Sequence, residues 1–155
     1  MSDLRKELKV SAIENGTVID HIPAKSLFQV VKILKLNAIP NQILFGNNLQ
    51  SQKYGTKGII KVNDKYFEAQ ELNKIALVAP TATLIVIKDF TVVYKKNVEL
   101  PKTIKQFVKC VNPNCITNNE NIETKFDVHI DEEGQPKLRC NYCEKFTAKD
   151  NMVFI

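Results

Sequence analysis

Arginine is nearly absent: of 155 residues, only Arg5 and Arg139 carry a guanidinium. Guanidinium groups make the bidentate contacts that grip phosphates and read guanine, so their scarcity argues against sequence-reading DNA binding. Histidine is equally scarce, with His21 and His129 alone. Neither stands with a serine or cysteine in a nucleophile–base pattern, so no enzyme of that type is indicated. Neither common glycine-rich phosphate loop is present. No apolar run approaches the ~20 residues that cross a bilayer. The opening Met-Ser-Asp-Leu-Arg-Lys-Glu is not a hydrophobic leader, and the expected compartment is the cytoplasm. Asn15-Gly-Thr17 matches a glycosylation sequon but in that setting reads as a turn.

What the chain does have is lysine, unevenly spread. The net charge is +5. Residues 1–100 carry 14 basic and 9 acidic side chains, whereas residues 101–155 carry 8 of each. All of the excess positive charge therefore lies in the first part. The charge shift and the stretch Lys95-Lys-Asn-Val-Glu-Leu-Pro101 predict a boundary, giving domains over 1–100 and 101–155.

The second part holds all four cysteines, as two close pairs: Cys110-Val-Asn-Pro-Asn-Cys115 and Cys140-Asn-Tyr-Cys143. Two knuckles separated by an excursion over residues 116–139 are what a tetrahedral four-thiolate zinc site requires. Two disulfides are an alternative, but one that needs an oxidising compartment. A redox Cys-x-x-Cys would leave the other pair unexplained. Four protein sulfurs leave no open coordination position, so one structural Zn²⁺ is expected. Bound as thiolates, they bring the second domain to a charge of about −2. A zinc-ribbon protein binding nucleic acid is the alternative functional class. Its affinity would rest on phosphate neutralisation, and the zinc half is not the basic half.

Along the first domain, Leu8–Ile13 alternates as a short strand or edge segment, and Thr17–Ile22 reads as a strand closed by Pro23. Leu27, Phe28, Val30, Val31 and Leu34 recur at helical spacing within 24–36. Gln42–Gly46 is a strand, 51–58 a polar loop, and Gly58–Val62 a strand. Ala69–Ala79 is a helix ended by Pro80, Thr83–Ile87 an apolar strand, and Phe90–Tyr94 a final strand. This order predicts an α+β class: a ferredoxin-like N-terminal domain, an antiparallel sheet with two helices on one face. Beyond the boundary nothing reads as helical. Short strands over 103–108, 124–130 and 152–155 predict a small all-β four-cysteine zinc domain.

Candidate ligand contacts are few. Asp20 and His21 are neighbours, and on a regular strand neighbouring side chains face opposite ways. A ligand touching both must straddle the strand end or use backbone groups. Lys57, Lys61, Lys95 and Lys96 gather near the ends of two strands, either as solvated lysines or as a phosphate cradle.

Taken together, Gly16-Thr-Val-Ile-Asp-His-Ile-Pro23, Ala79-Pro80, Cys110-x-Asn-x-Asn-Cys115-Ile and Cys140-x-Tyr-Cys-Glu-Lys145 resemble the regulatory chains of aspartate carbamoyltransferase. The resemblance runs from about Leu8 to the C-terminus. It implies a non-catalytic subunit with a nucleotide-binding allosteric domain and a zinc domain. The first would pair with a second copy as a regulatory dimer, and the second would dock on the catalytic chain. CTP, alone or with UTP, would inhibit and ATP would activate, giving feedback on pyrimidine synthesis. By position, Asp20 and Lys95 would meet the ribose and phosphates, with Lys61 and His21 nearby. Val10, Ala12 and Ile13 would line the base pocket, Val92 would close it, and Lys57 would make a further phosphate or second-nucleotide contact. Asn112, Asn114, Tyr142, Glu144 and Lys145 match positions facing the catalytic chain. Ile85 stands where the enterobacterial form has an asparagine, and Phe90 where it has a tyrosine. Both departures bear on base preference. No nucleic acid and no membrane are implied as partners.

Overall fold

The computed structural model describes residues 12–52 and 55–155. They form two compact units that part between Glu99 and Leu100. Of the segment expected to open the fold, residues 8–11, and with them Val10, lie outside the described residues. Ala12 and Ile13 have no regular structure.

The first unit is built on β1 (Gly16–Pro23), the central strand of a five-stranded sheet. The other strands are β2 (Ile43–Ser51), β3 (Gly55–Asn63), β4 (Thr83–Lys88) and β5 (Thr91–Asn97). The order is β2-β3-β1-β4-β5, and every neighbouring pair is antiparallel. With helix α1 (Leu27–Ile33) between β1 and β2, and α2 (Ala69–Asn73) between β3 and β4, this is the ferredoxin-like arrangement. A fifth strand is appended by hairpin. The class is α+β, as the order of elements predicts.

β3 shows how sequence sets the two faces. Gly58, Ile60 and Val62 are buried toward the helices, while Lys57, Ile59 and Lys61 alternate onto the other side. The helix-side core gathers Ile19, Ile22, Leu27, Val30, Leu36, Ile60, Val62, Leu72, Ile75 and Leu77, each at most 1% exposed. Burial of each such side chain contributes about 1.5–3 kcal/mol. A smaller cluster covers the outer face, where Ile13, Val18 and Ile87 pack with the half-buried Leu44, Ile59 and Ile85.

Several boundaries differ from the sequence reading. Helix α1 is shorter, because Lys35 turns left-handed (φ 54°) and a 3-10 turn, Leu36–Ala38, follows. Phe28, placed by spacing among the inward residues, is 66% exposed and meets Phe45 edge-on at 6.2 Å between centroids. Helix α2 tightens into a 3-10 turn over Lys74–Leu77 instead of running to Ala79. The expected polar loop over 51–58 belongs largely to the β2–β3 hairpin. Lys95 and Lys96, expected in the linker, are paired with Ile85 and Leu84 inside β5. Thr17, the third sequon residue, is fully buried with its hydroxyl donating to Lys65 O at 2.7 Å.

The second unit carries β6 (Thr103–Lys105), β7 (Val108–Lys109), β8 (Lys125–Ile130), β9 (Pro136–Cys140), β10 (Phe146–Ala148) and β11 (Val153–Phe154). The sheet β10-β9-β8-β6 and the pair β11-β7 are antiparallel. Its core is small: Ile104, Val108, Phe126 and Leu138, with Phe107 stacked on Phe154 at 6.1 Å. Contrary to the all-β expectation, one turn of helix, α3 (Ile116–Asn119), follows Cys115, and Lys149–Asn151 is a 3-10 turn. Domains of this size usually need a metal or cross-link beside their core. Among the described residues, no helix is long and apolar enough to cross a membrane.

Candidate metal centre and lysine-flanked sheet face

The four cysteines come together although they enter from different elements. Cys110 follows β7, Cys115 caps α3, Cys140 ends β9, and Cys143 lies in the turn to β10. Their Sγ atoms all lie within 4.8 Å of one another. Cys110 approaches Cys143 at 3.6 Å and Cys115 approaches Cys140 at 3.7 Å, each contact joining one knuckle to the other. A disulfide needs about 2.05 Å, so these are four thiols. Four sulfurs set tetrahedrally at about 2.3 Å from zinc stand about 3.8 Å apart, so this donor set fits the ion. It is a metal centre with zinc as its cofactor, and with no vacant position it holds structure rather than substrate.

Local hydrogen bonding prepares the sulfurs. Tyr142 N–H donates to Cys140 Sγ at 3.4 Å, and the Thr117 hydroxyl donates to Cys115 Sγ at 3.2 Å. Burial pushes the Cys110 and Cys140 thiols up, against donation from the Asn112 N–H and from the Cys143 and Tyr142 N–H groups respectively. For Cys143, burial also raises the thiol. The Lys145 N–H and the Asn112 side chain outweigh it, with Cys110 and Cys140 adding to them, and bring it down to about 7. Asn118 clamps the first knuckle, its Nδ2 donating to Cys110 O at 3.0 Å and Asn112 O at 2.7 Å. Glu144 is left-handed (φ 66°), which closes the second knuckle: its N–H reaches Cys140 O at 3.0 Å, and Cys140 N–H reaches Lys145 O at 3.0 Å.

The residues expected to face a partner chain sit on these same knuckles. Asn112 and Asn114 belong to the first, Tyr142, Glu144 and Lys145 to the second, and the cysteine cluster brings the two sets together. Asn114, Tyr142, Glu144 and Lys145 are exposed. Asn112 is half-buried, with its Oδ1 accepting the Asn114 N–H at 3.1 Å. Val111 and Ile116 beside them are exposed apolar residues. Glu144 also reaches Arg139 at 3.3 Å, an exposed pair worth little to stability.

On the first unit, strand register aligns the expected ligand contacts. Lys61, Val18, Ile85 and Lys95 are paired in turn across β3, β1, β4 and β5, so all four face the outer side. The two lysines end a row whose middle is apolar. Three strand steps put their backbones about 14 Å apart. Val92 pairs with Ile87 one step along, and Ile13 packs on Val18 and Ile87. At the other end Lys57 holds Asp20 at 2.8 Å, both side chains largely buried. Ala12 is exposed at the rim.

His21 breaks the alternation expected of β1. Its φ is 57°, and the register shifts between Ile19 and Ile22, so Asp20 and His21 form a bulge. The His21 N–H bonds the Asp20 carboxylate at 2.7 Å, and Thr81 donates to His21 O at 2.8 Å. Its Nδ1 lies 3.1 Å from the Thr83 hydroxyl, which in turn meets Asn97. A left-handed non-glycine residue costs about 1–2 kcal/mol, and such strain collects at functional positions. A cleft of about 760 Å³ opens at this bulge, lined by His21 and Lys57 together with Lys25, Phe28, Asn47 and Thr56. Lys61, Lys95, Val92 and Ile13 do not line it.

Sequence reading missed Thr81, Thr83 and Asn97, which hold His21, and Thr117 and Asn118, which hold the cysteines. Short polar side chains of this kind carry no periodic signal. At the tip of β4–β5, Asp89 and Phe90 are both left-handed, and Phe90 donates its N–H to Glu14 O at 2.9 Å. Phe90 is 66% exposed, and Ile85 lies in the apolar floor.

Comparison with known proteins gives two family matches. Residues 8–99 match the allosteric domain of the aspartate carbamoyltransferase regulatory chain, and residues 102–153 match its metal-binding domain. A regulatory chain of that name from Porphyromonas gingivalis is 51% identical over 151 residues, covering 97% of this chain and 99% of the relative. One from Thermococcus sibiricus is 52% identical over 148 residues, covering 96% of each. One from Bacteroides fragilis is 46% identical over the full length of both.

Proposed function

The chain belongs to the family of aspartate carbamoyltransferase regulatory chains, with an allosteric and a metal-binding domain, and from that membership we propose how it regulates. It is a non-catalytic subunit. Nucleoside triphosphates bind the outer sheet face of its first domain, CTP alone or with UTP inhibiting and ATP activating. The zinc domain docks on the catalytic chain, and the first domain pairs with a second copy. The result is feedback control of pyrimidine biosynthesis in the cytoplasm. The domains divide near residue 100.

The observation that carries this reading is the row Lys61–Val18–Ile85–Lys95, with the Lys57–Asp20 pair further along β3 and β1. An apolar floor for a base, a carboxylate for ribose hydroxyls and ammonium groups for phosphates share one face. The excess positive charge lies in this domain, where a triphosphate needs it. Support for docking comes from the exposed Val111, Ile116 and Tyr142 beside polar Asn114, Glu144 and Lys145. An apolar centre with a polar rim is the anatomy of protein interfaces. Zinc's task is to hold the two knuckles in one surface.

Calorimetric titration of the zinc-loaded chain with CTP, and with ATP, tests the effector site. Saturable binding of both, each displacing the other, is expected. Absence of binding by either nucleotide overturns the assignment.

A further inference from the structure

We propose that Thr117 is a positioning residue of the metal centre, its hydroxyl fixing the Cys115 sulfur as a ligand for the ion. The inference rests on a comparison of the two buried sulfurs that meet across the knuckles, Cys115 and Cys140, 3.7 Å apart. Each accepts a hydrogen bond from the residue two places further along. For Cys140 the donor is backbone, the Tyr142 N–H at 3.4 Å. At Cys115 the same place is filled by a side chain: Thr117 Oγ1 stands 3.2 Å from the sulfur.

Much of the neighbouring backbone is committed elsewhere. Asn114 N–H goes to Asn112 Oδ1 at 3.1 Å, Cys115 N–H to Asn112 O at 3.0 Å, and Asn118 N–H to Cys115 O at 3.0 Å. Pro113 has no N–H to give. Cys115 is 1% exposed, so bulk water does not take the place of that donor. Sulfur bound to a metal ion carries negative charge, and a charged acceptor makes such a bond stronger than a neutral one. Residue type at 142 is thus free so far as the Cys140 sulfur is concerned, because backbone serves it. At 117 the donor is the hydroxyl itself. The partners around metal ligands typically govern affinity by 10–100-fold.

The test uses the full zinc-loaded chain and two variants, Thr117→Val, which keeps shape and removes the donor, and Thr117→Ser, which keeps the donor. Zinc affinity is read by competition with a colorimetric chelator. Thr117→Val should bind zinc about tenfold more weakly or worse, and Thr117→Ser should stay close to the parent. With cobalt(II) as probe, the sulfur-to-metal charge-transfer band should move to lower energy in Thr117→Val and stay in place in Thr117→Ser, since loss of the bond raises the sulfur lone pairs. A Thr117→Val chain that takes up no metal, with Thr117→Ser loading normally, supports the proposal equally. Parent-like zinc affinity in Thr117→Val overturns it. So does a Thr117→Ser chain as weak as Thr117→Val, which would make the side chain a matter of packing alone.

Discussion

Replacing Lys61 or Lys95 by alanine should weaken nucleotide binding while leaving the fold intact. Lys61 is half-buried on β3, and Lys95 is exposed on the edge strand β5. Register places them at the two ends of one apolar row, so a triphosphate lying over Val18 and Ile85 is within reach of both. Loss of a charge-assisted hydrogen bond costs about 1–3 kcal/mol, which is about 5- to 150-fold in Kd. Lys61 should give the larger loss, because its ammonium is the less hydrated of the two. If both lysines hold the same phosphates, the double variant should lose less than the sum of the single losses, as contacting groups do. Neither change touches the helix-side core, so thermal stability should move by no more than about 0.5 kcal/mol. Isothermal calorimetry of the zinc-loaded chain with CTP measures each affinity, and circular dichroism confirms the fold. Unchanged affinity in both single variants would refute the phosphate role of this face.

Two further outcomes follow from the same geometry. Stripping zinc with a chelator should abolish ordered structure in residues 100–155 and docking on the catalytic chain, because the small core there lacks its cross-link. Nucleotide affinity should persist, since the first domain has its own core. Full assembly of the chelated chain would contradict this. Glu144→Gly should leave zinc affinity intact and stabilise the second domain by up to about 1 kcal/mol, because glycine accepts the left-handed φ without strain. It should weaken docking, measured by surface-immobilised catalytic subunit. A loss of zinc binding together with docking would mean that Glu144 serves the metal rather than the partner.

The parts of this molecule that were legible in its sequence are those where burial imposes a period. β3 declares itself because Ile60 and Val62 must face the helices while Lys57, Ile59 and Lys61 turn away. The cysteine spacing declares the metal because four thiolates at those intervals have few other uses. Elements that bury little are poorly bounded. Phe90–Tyr94 reads as a strand, but β5 is exposed along its whole length, so no burial pattern marks where it ends, and Lys95 and Lys96 pass for linker. Helix α3 is built of Ile, Thr and two Asn, poor helix formers, and is held by Asn118 and Asn119 side chains bonding back to knuckle carbonyls. The bulge at Asp20–His21 has no signature in residue type. Strand periodicity separates the two side chains, and only the left-handed turn at His21 shows why both belong to one end of the strand. The resemblance to a family supplied residues such as Val92 and Ala12, which composition and period do not single out. Thr117 was reached by neither route, because its role depends on where its hydroxyl points.

The central claim is that this chain regulates by attaching to a catalytic partner through its zinc domain. It is tested most directly by sizing chromatography of the zinc-loaded chain mixed with the aspartate carbamoyltransferase catalytic trimer from the same organism. A single, larger complex that dissociates when zinc is removed is the predicted result. Separate elution of the two components, both folded and with zinc in place, would contradict it.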